Sequence, residues 1–238
     1  MPDSDYVTPP DSPAALVKIA WVYEALVHMY GIPPWEPDHD PVGGLVATVL
    51  SQHTSDVNSE RAYAELVRRF PSWQLVRDAP VDAVADAIRS GGLARQKAAR
   101  IQRILRELSV GQSGNLLSLD VLDDMPLEEA LEYLQHFSGV GPKTAACVLL
   151  FSLGRPAFPV DTHVLRVTKR LGLIGSQVSA DAAHDILTRL IAAEWRHTMH
   201  VDLIRHGRQT CYAQRPACSR CALRHECLYF WDIEASKH

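Results

Sequence analysis

A chain that reads "LEEALEYLQHFSGVGPKTAACVLLF" from residue 127 to residue 151 has few ways to fold there. Leu127, Ala130, Leu131 and Leu134 recur at helical spacing behind Pro126, and Glu128 and Glu129 occupy a first turn, where carboxylates complement the helix dipole. Gly139, Val140 and Gly141 then interrupt the helix, and Pro142 suits the first position of a second one whose body is apolar enough to be buried. Helix, Gly-x-Gly hairpin and helix make a phosphate-binding design, because glycines let backbone approach closely and the free N–H groups of the second helix face an anion. Gly-x-Gly alone also describes a plain tight turn. Lys143 is the awkward residue: a cation in a first turn is disfavoured by about 0.3 to 1 kcal/mol, so the same place favours a neutral amine.

Elsewhere the apolar periodicity is helical and no alternating strand stands out. Ser12 as N-cap, Pro13 behind it, apolar residues from Leu16 to Tyr30, and Gly31 followed by Pro33 punctuate one complete helix. Further helices are predicted over residues 43–51, 55–70, 80–90, 95–109, 127–136, 142–153, 162–171, 180–193 and 197–207. The expected class is a compact all-α protein, and 238 residues allow one large domain or two modest lobes. No apolar run reaches bilayer length, and the acidic, proline-rich start "MPDSDYVTPPDSP" is not a targeting segment, which predicts a cytoplasmic protein with no membrane partner. The net charge of −4 argues against a polyanion partner until it is split along the chain: residues 1–138 carry −9 and residues 139–238 carry +5. Such asymmetry points to a polyanion on one face, or to an uneven solvated surface.

Four of the five cysteines, Cys211, Cys218, Cys221 and Cys227, form a C-x6-C-x2-C-x5-C array. Four thiols in one short segment of a cytosolic chain indicate a metal centre rather than disulfides. Zinc accepts four thiolates, but its modules usually come as two close pairs, and a loop winding around a four-iron cube fits this spacing better. Cys147, on the apolar helix behind the hairpin, reads as an inert core thiol.

Four segments together resemble the endonuclease III family of helix-hairpin-helix DNA glycosylases: "LSQHTSD" (50–56), "GGLARQKAARI" (91–101), "FSGVGPKTAACVLL" with "PVDTHVLRVTKRLGL" (137–173), and "HGRQTC" running into the cysteine array (206–227). The resemblance covers most of the chain. It implies a two-lobed fold: a six-helix lobe over 45–155 with the hairpin, and a cluster lobe assembled from 1–44 and 156–238, with a DNA groove between them. It also implies that Cys211, Cys218, Cys221 and Cys227 hold a 4Fe-4S cluster, that Lys143 and Asp161 are the catalytic pair, and that Gly139, Val140 and Gly141 hold a phosphate. Leu93 matches the family's apolar wedge. Where the family commonly has glutamine, three residues before Asp56, this chain has His53, with Gln52 one place earlier; both are candidate DNA contacts. Ser138 replaces a usual proline.

The implied activity is base-excision repair by a monomer acting on double-stranded DNA with a damaged base or abasic site. A damaged base, expected to be an oxidised pyrimidine, is extruded from the duplex at a cost of a few kcal/mol. A neutral lysine amine then attacks the sugar, and β-elimination breaks the strand. Asp161 would assist as proton acceptor and stabiliser of sugar charge, although by position it could equally cap the helix starting at Thr162. His163 is expected to support structure, His206 and Arg208 to brace the cluster loop, and Arg215, Arg220 and Arg224 to present cations to phosphates. The alternatives are a monofunctional or mismatch-specific glycosylase, and a noncatalytic iron-sulfur protein that uses the hairpin only to bind DNA.

Overall fold

The computed structural model describes residues 12–110 and 117–235. The protein is all-α, and no strand occurs among the described residues. It divides into two compact units, Glu36–Arg155 and the pairing of Met1–Trp35 with Pro156–His238.

In the unit Glu36–Arg155, Asp40 starts the central helix, Pro41–Ser51, by accepting the Gly43 N–H at 2.8 Å. Val42, Leu45, Val46, Val49 and Leu50 are all buried, so this helix has hardly any polar face and must sit inside. Asp56–Arg69 and Ala94–Ser109 pack against it, and Trp73–Asp78 and Val81–Ala87 pack on Ala94–Ser109. Leu127–Gln135 and Pro142–Cys147 form the two arms of the hairpin. The second arm continues as a π-helix, Val148–Ser152, rather than as the single α-helix expected over 142–153. Such wider turns are often found near functional sites.

In the other unit, Ser12 Oγ accepts the Ala15 N–H at 3.2 Å and Gly31, at φ +75°, closes Pro13–Tyr30. Ile19, Val22 and Leu26 of this helix join Val164, Val167, Leu187, Met199 and Leu203 in one core, supplied by Thr162–Leu171, Ala180–Leu190 and Arg196–Gln209. Burying each such side chain contributes roughly 1.5 to 3 kcal/mol. Gly207 lets two of these helices approach: a Cβ there would lie 2.9 Å from His163. The helices Trp73–Asp78, Val121–Asp124 and Leu228–Ala235 were not expected from the sequence; each is too short to display a period. No described helix is long and apolar enough to cross a membrane.

Candidate active site

The hairpin is built from backbone. The Val140 N–H bonds Phe137 O at 3.0 Å, Gly139 sits at φ +78°, and Pro142 opens the next helix, whose first turn the Ala145 N–H closes on Gly141 O. Lys143 is half-buried in that turn, and no described residue holds its amine by hydrogen bond or ion pair. Ser138 explains how the chain does without proline there. Its N–H and hydroxyl both donate to the Glu107 carboxylate, at 3.0 and 2.8 Å, and proline could supply neither bond.

Both candidate wedge residues stand in strained backbone. His53 has φ +54° and Leu93 has φ +49°, the left-handed region that costs a non-glycine residue about 1 to 2 kcal/mol. Both are solvent-exposed, Leu93 by 53%. Strain of this kind persists only where surrounding structure imposes it. Gln52 is used differently: its carbonyl accepts from Arg100 at 2.7 Å and its amide faces Thr144 Oγ1 at 3.4 Å, so it joins the turn to the hairpin helix.

Three residues around these loops were missed in the sequence: Lys97, Arg100 and Glu107, all on Ala94–Ser109. Lys97 is 4% exposed and donates to Leu50 O and Gly91 O, each at 2.7 Å. Arg100 lies across Gly139, where a Cβ would come within 2.8 Å of its Nε. One signal was available: Lys97 falls in phase with the apolar stripe of Ile101, Ile104, Leu105 and Leu108, where a solvated lysine has no place.

Asp161 lies in the other unit, at the N-cap of Thr162–Leu171. One carboxylate oxygen accepts the Val164 N–H at 2.7 Å, which leaves the second for other work. His163 pairs with Arg166 at 3.1 Å, and Arg166 bonds Gly207 O and Cys211 O, so this helix is tied to the start of the cysteine loop.

Cys211, Cys218, Cys221 and Cys227 line one small cavity of about 20 Å³, walled by Val167, Leu171, Leu223 and Phe230, and none forms a disulfide. Burial pushes the Cys221 thiol up to about 11 and raises Cys218 and Cys227, and the mutual repulsion of the sulfurs adds to this. A cationic group among the sulfurs would offset that repulsion and favour the thiolate form of Cys218, Cys221 and Cys227. No three His, Cys, Asp or Glu side chains among the described residues converge as a single ion requires. His206 is buried between Tyr30 Oη, at 3.0 Å, and Cys221 Sγ, at 3.6 Å, and desolvation lowers it to about 4, so it is neutral at pH 7. Arg208, Arg215 and Arg220 are exposed; Arg220 Nη2 donates to Gln209 O at 2.7 Å and Arg224 Nη1 to Ser219 O. Cys147 is buried in the Glu36–Arg155 unit.

A helical chain with a Gly-x-Gly hairpin, a lysine behind it that has no partner among the described residues, and a four-cysteine loop points to a class of DNA-repair protein, and residues 46–193 match the model of that class, the HhH-GPD superfamily base excision DNA repair proteins. The chain belongs to this superfamily, and within it to the endonuclease III-like branch. Endonuclease III of Thermotoga maritima is 32% identical over 80% of this chain and 84% of its own length. A solved structure of a trapped endonuclease III–DNA covalent intermediate is 30% identical, with a TM-score of 0.76 over 92% of this chain and 98% of that one. An Arabidopsis thaliana relative named as a candidate DNA glycosylase is 40% identical over 75% of this chain, which spans 57% of that relative's length.

Proposed function

We propose that this protein is a bifunctional DNA glycosylase/AP lyase of base-excision repair, removing damaged pyrimidines from double-stranded DNA. The observation that carries this is Lys143, half-buried in the first turn behind the hairpin with no partner among the described residues. A homologous enzyme trapped covalently on DNA supports it. The Lys143 amine attacks C1′ of an extruded nucleotide, and the base leaves with the electron pair of the glycosidic bond. Opening of the sugar ring gives a Schiff base. Loss of a C2′ proton then expels the 3′-phosphate by β-elimination. Asp161 supplies a carboxylate oxygen that accepts the lysine's proton and stabilises positive charge on the sugar. The turn Gly139–Val140–Gly141 holds a backbone phosphate on the N–H groups it leaves free, that of Val140 being bonded to Phe137 O. His53 and Leu93 occupy the gap left in the stack, with Gln52 bracing the turn beneath His53. One chain supplies every residue involved.

Cys211, Cys218, Cys221 and Cys227 are assigned to a 4Fe-4S cluster, an assignment supported by the spacing of the array and by the four thiols lining one cavity. When bound, the cluster supplies a fixed, positively compensating scaffold rather than a reaction step. Around it, Arg215 and Arg220 point cations at phosphates. Equal iron and acid-labile sulfide, four of each per chain, with visible charge-transfer absorbance would verify the assignment; zinc in their place would refute it.

The decisive experiment is borohydride reduction with a duplex containing an abasic site. The wild-type chain gives a covalent adduct and Lys143→Ala gives none. Asp161→Asn keeps an oxygen for the Val164 N–H, so it folds, and it slows base release by about 100-fold or more. Base release without an adduct would support the monofunctional alternative. No release from any damaged duplex would leave only a DNA-binding role.

A further inference from the structure

We propose that Lys97 is a positioning residue for base extrusion: its ammonium ties the turn carrying His53 to the turn carrying Leu93, so that the two tips enter the duplex as one rigid wedge. This rests on the glycosylase proposal and deepens it. Leu50 O and Gly91 O belong to the last turns of two separate helical segments, Pro41–Ser51 and the 3-10 turn Arg89–Gly91. Both are carbonyls at negative helix ends, where a cation is favoured. Nζ lies 2.7 Å from each. Two residues beyond Gly91 the chain reaches Leu93, and three beyond Leu50 it reaches His53, both held at positive φ.

An apolar residue would fill this place in the stripe without the desolvation that burial imposes on Lys97, and that desolvation lowers its pKa. What an apolar residue cannot do is bond two carbonyls from different segments at once. Ser90 Oγ adds a weaker link from the turn of Leu93, donating to Asn58 O at 3.3 Å. A gap in a base stack closes only when both fillers are in place together. Tips already fixed relative to each other need no ordering at that moment.

The test is a double-mutant cycle in the full chain, read by single-turnover base release from a damaged duplex. Lys97→Met slows release by about 30-fold in an otherwise wild-type chain, but by less than about threefold in a Leu93→Ala background, where no wedge remains to be aligned. Borohydride trapping on an abasic site in single-stranded DNA, where there is no stack to fill, stays within about twofold. Equal losses in both backgrounds, or a loss below about threefold in the first, overturn the proposal. If Lys97→Met does not fold, Lys97→Gln, whose side chain is one bond shorter and cannot bridge both carbonyls, replaces it in the same cycle and is judged by the same criterion. A wild-type chain that releases no base refutes the glycosylase proposal and this one together, whereas wild-type release with additive losses refutes this one alone.

Discussion

The two regions where regular structure gives way to functional loops are held by the same device under different conditions. In the Glu36–Arg155 unit, Lys97 donates to two carbonyls from inside the protein, and Arg100 and Glu107 reach the hairpin from the same helix. In the cysteine loop, arginines again donate to carbonyls: Arg166 to Cys211, Arg170 to Tyr212 and Ala213, Arg220 to Gln209 and Arg224 to Ser219. Several of these bonds are exposed to water, where each is worth little net. Beneath the hairpin lies a packed core, whereas beneath the cysteine loop lie four thiols around a cavity. The hairpin and the turns of His53 and Leu93 are therefore supported by protein alone. The other loop, on the cluster assignment proposed above, relies on a group held by its thiols.

Removing one thiol should break this contrast most severely. Cys221→Ser abolishes the iron-sulfur absorbance and lowers the opening free energy of the segment 206–227 by more than about 5 kcal/mol. Amide protection across residues 41–51 and 94–109 changes by less than about 1 kcal/mol. Hydrogen exchange resolved by segment measures both. Uniform loss across the two units would show that the hairpin unit depends on the cluster as well.

A smaller effect tests the hairpin side. Gly139→Ala forces an L-residue to φ +78° and pushes its methyl to within 2.8 Å of Arg100 Nε. Arg100 can move, but only by giving up its 2.7 Å bond to Gln52. The expected cost is about 1 to 2 kcal/mol of stability, with roughly tenfold weaker duplex binding. Urea unfolding and fluorescence anisotropy measure the two. Stability lost without affinity would mean that the hairpin does not contact phosphate.

What could be read in advance follows the same division. Ser12, Gly31, Pro142 and the Gly139–Gly141 turn act through local backbone rules, so they were legible in the sequence. Lys143 was legible for the same reason, since its oddity is a property of its own helix end. Lys97 and Arg100 act over 47 and 48 residues of chain, on Leu50 and Gln52, and no local rule announces such partners. Asp161 had two readings, and the structure shows one oxygen engaged in the capping role without excluding the other role. The π-helix at Val148–Ser152 escaped because its sequence is as apolar as an α-helical one.

The smallest effect concerns a cost carried by the unit that contains the four-cysteine loop. Asp202 is fully buried, its Oδ1 meets Arg205 at 3.2 Å, and its Oδ2 has no hydrogen-bond partner among the described residues. Burial raises this carboxyl from 3.8 to about 6, against the opposing pull of Arg205. The folded protein thus binds this proton more tightly than the unfolded chain does. The group's contribution to stability is complete below about pH 3.8 and is lost as pH rises through about 6. Asp202→Asn removes the ionisation and keeps an oxygen for Arg205. It should raise the unfolding free energy by about 1 to 3 kcal/mol at pH 8, by about half as much at pH 5, and by almost nothing at pH 4. The quantity to measure is the difference between variant and wild type at each pH, because His206, lowered to about 4, favours unfolding in acid in both chains alike. A difference that stays flat with pH would show that Asp202 is not ionising in this range, and a negative one at pH 8 would show that its charge is held by more than Arg205.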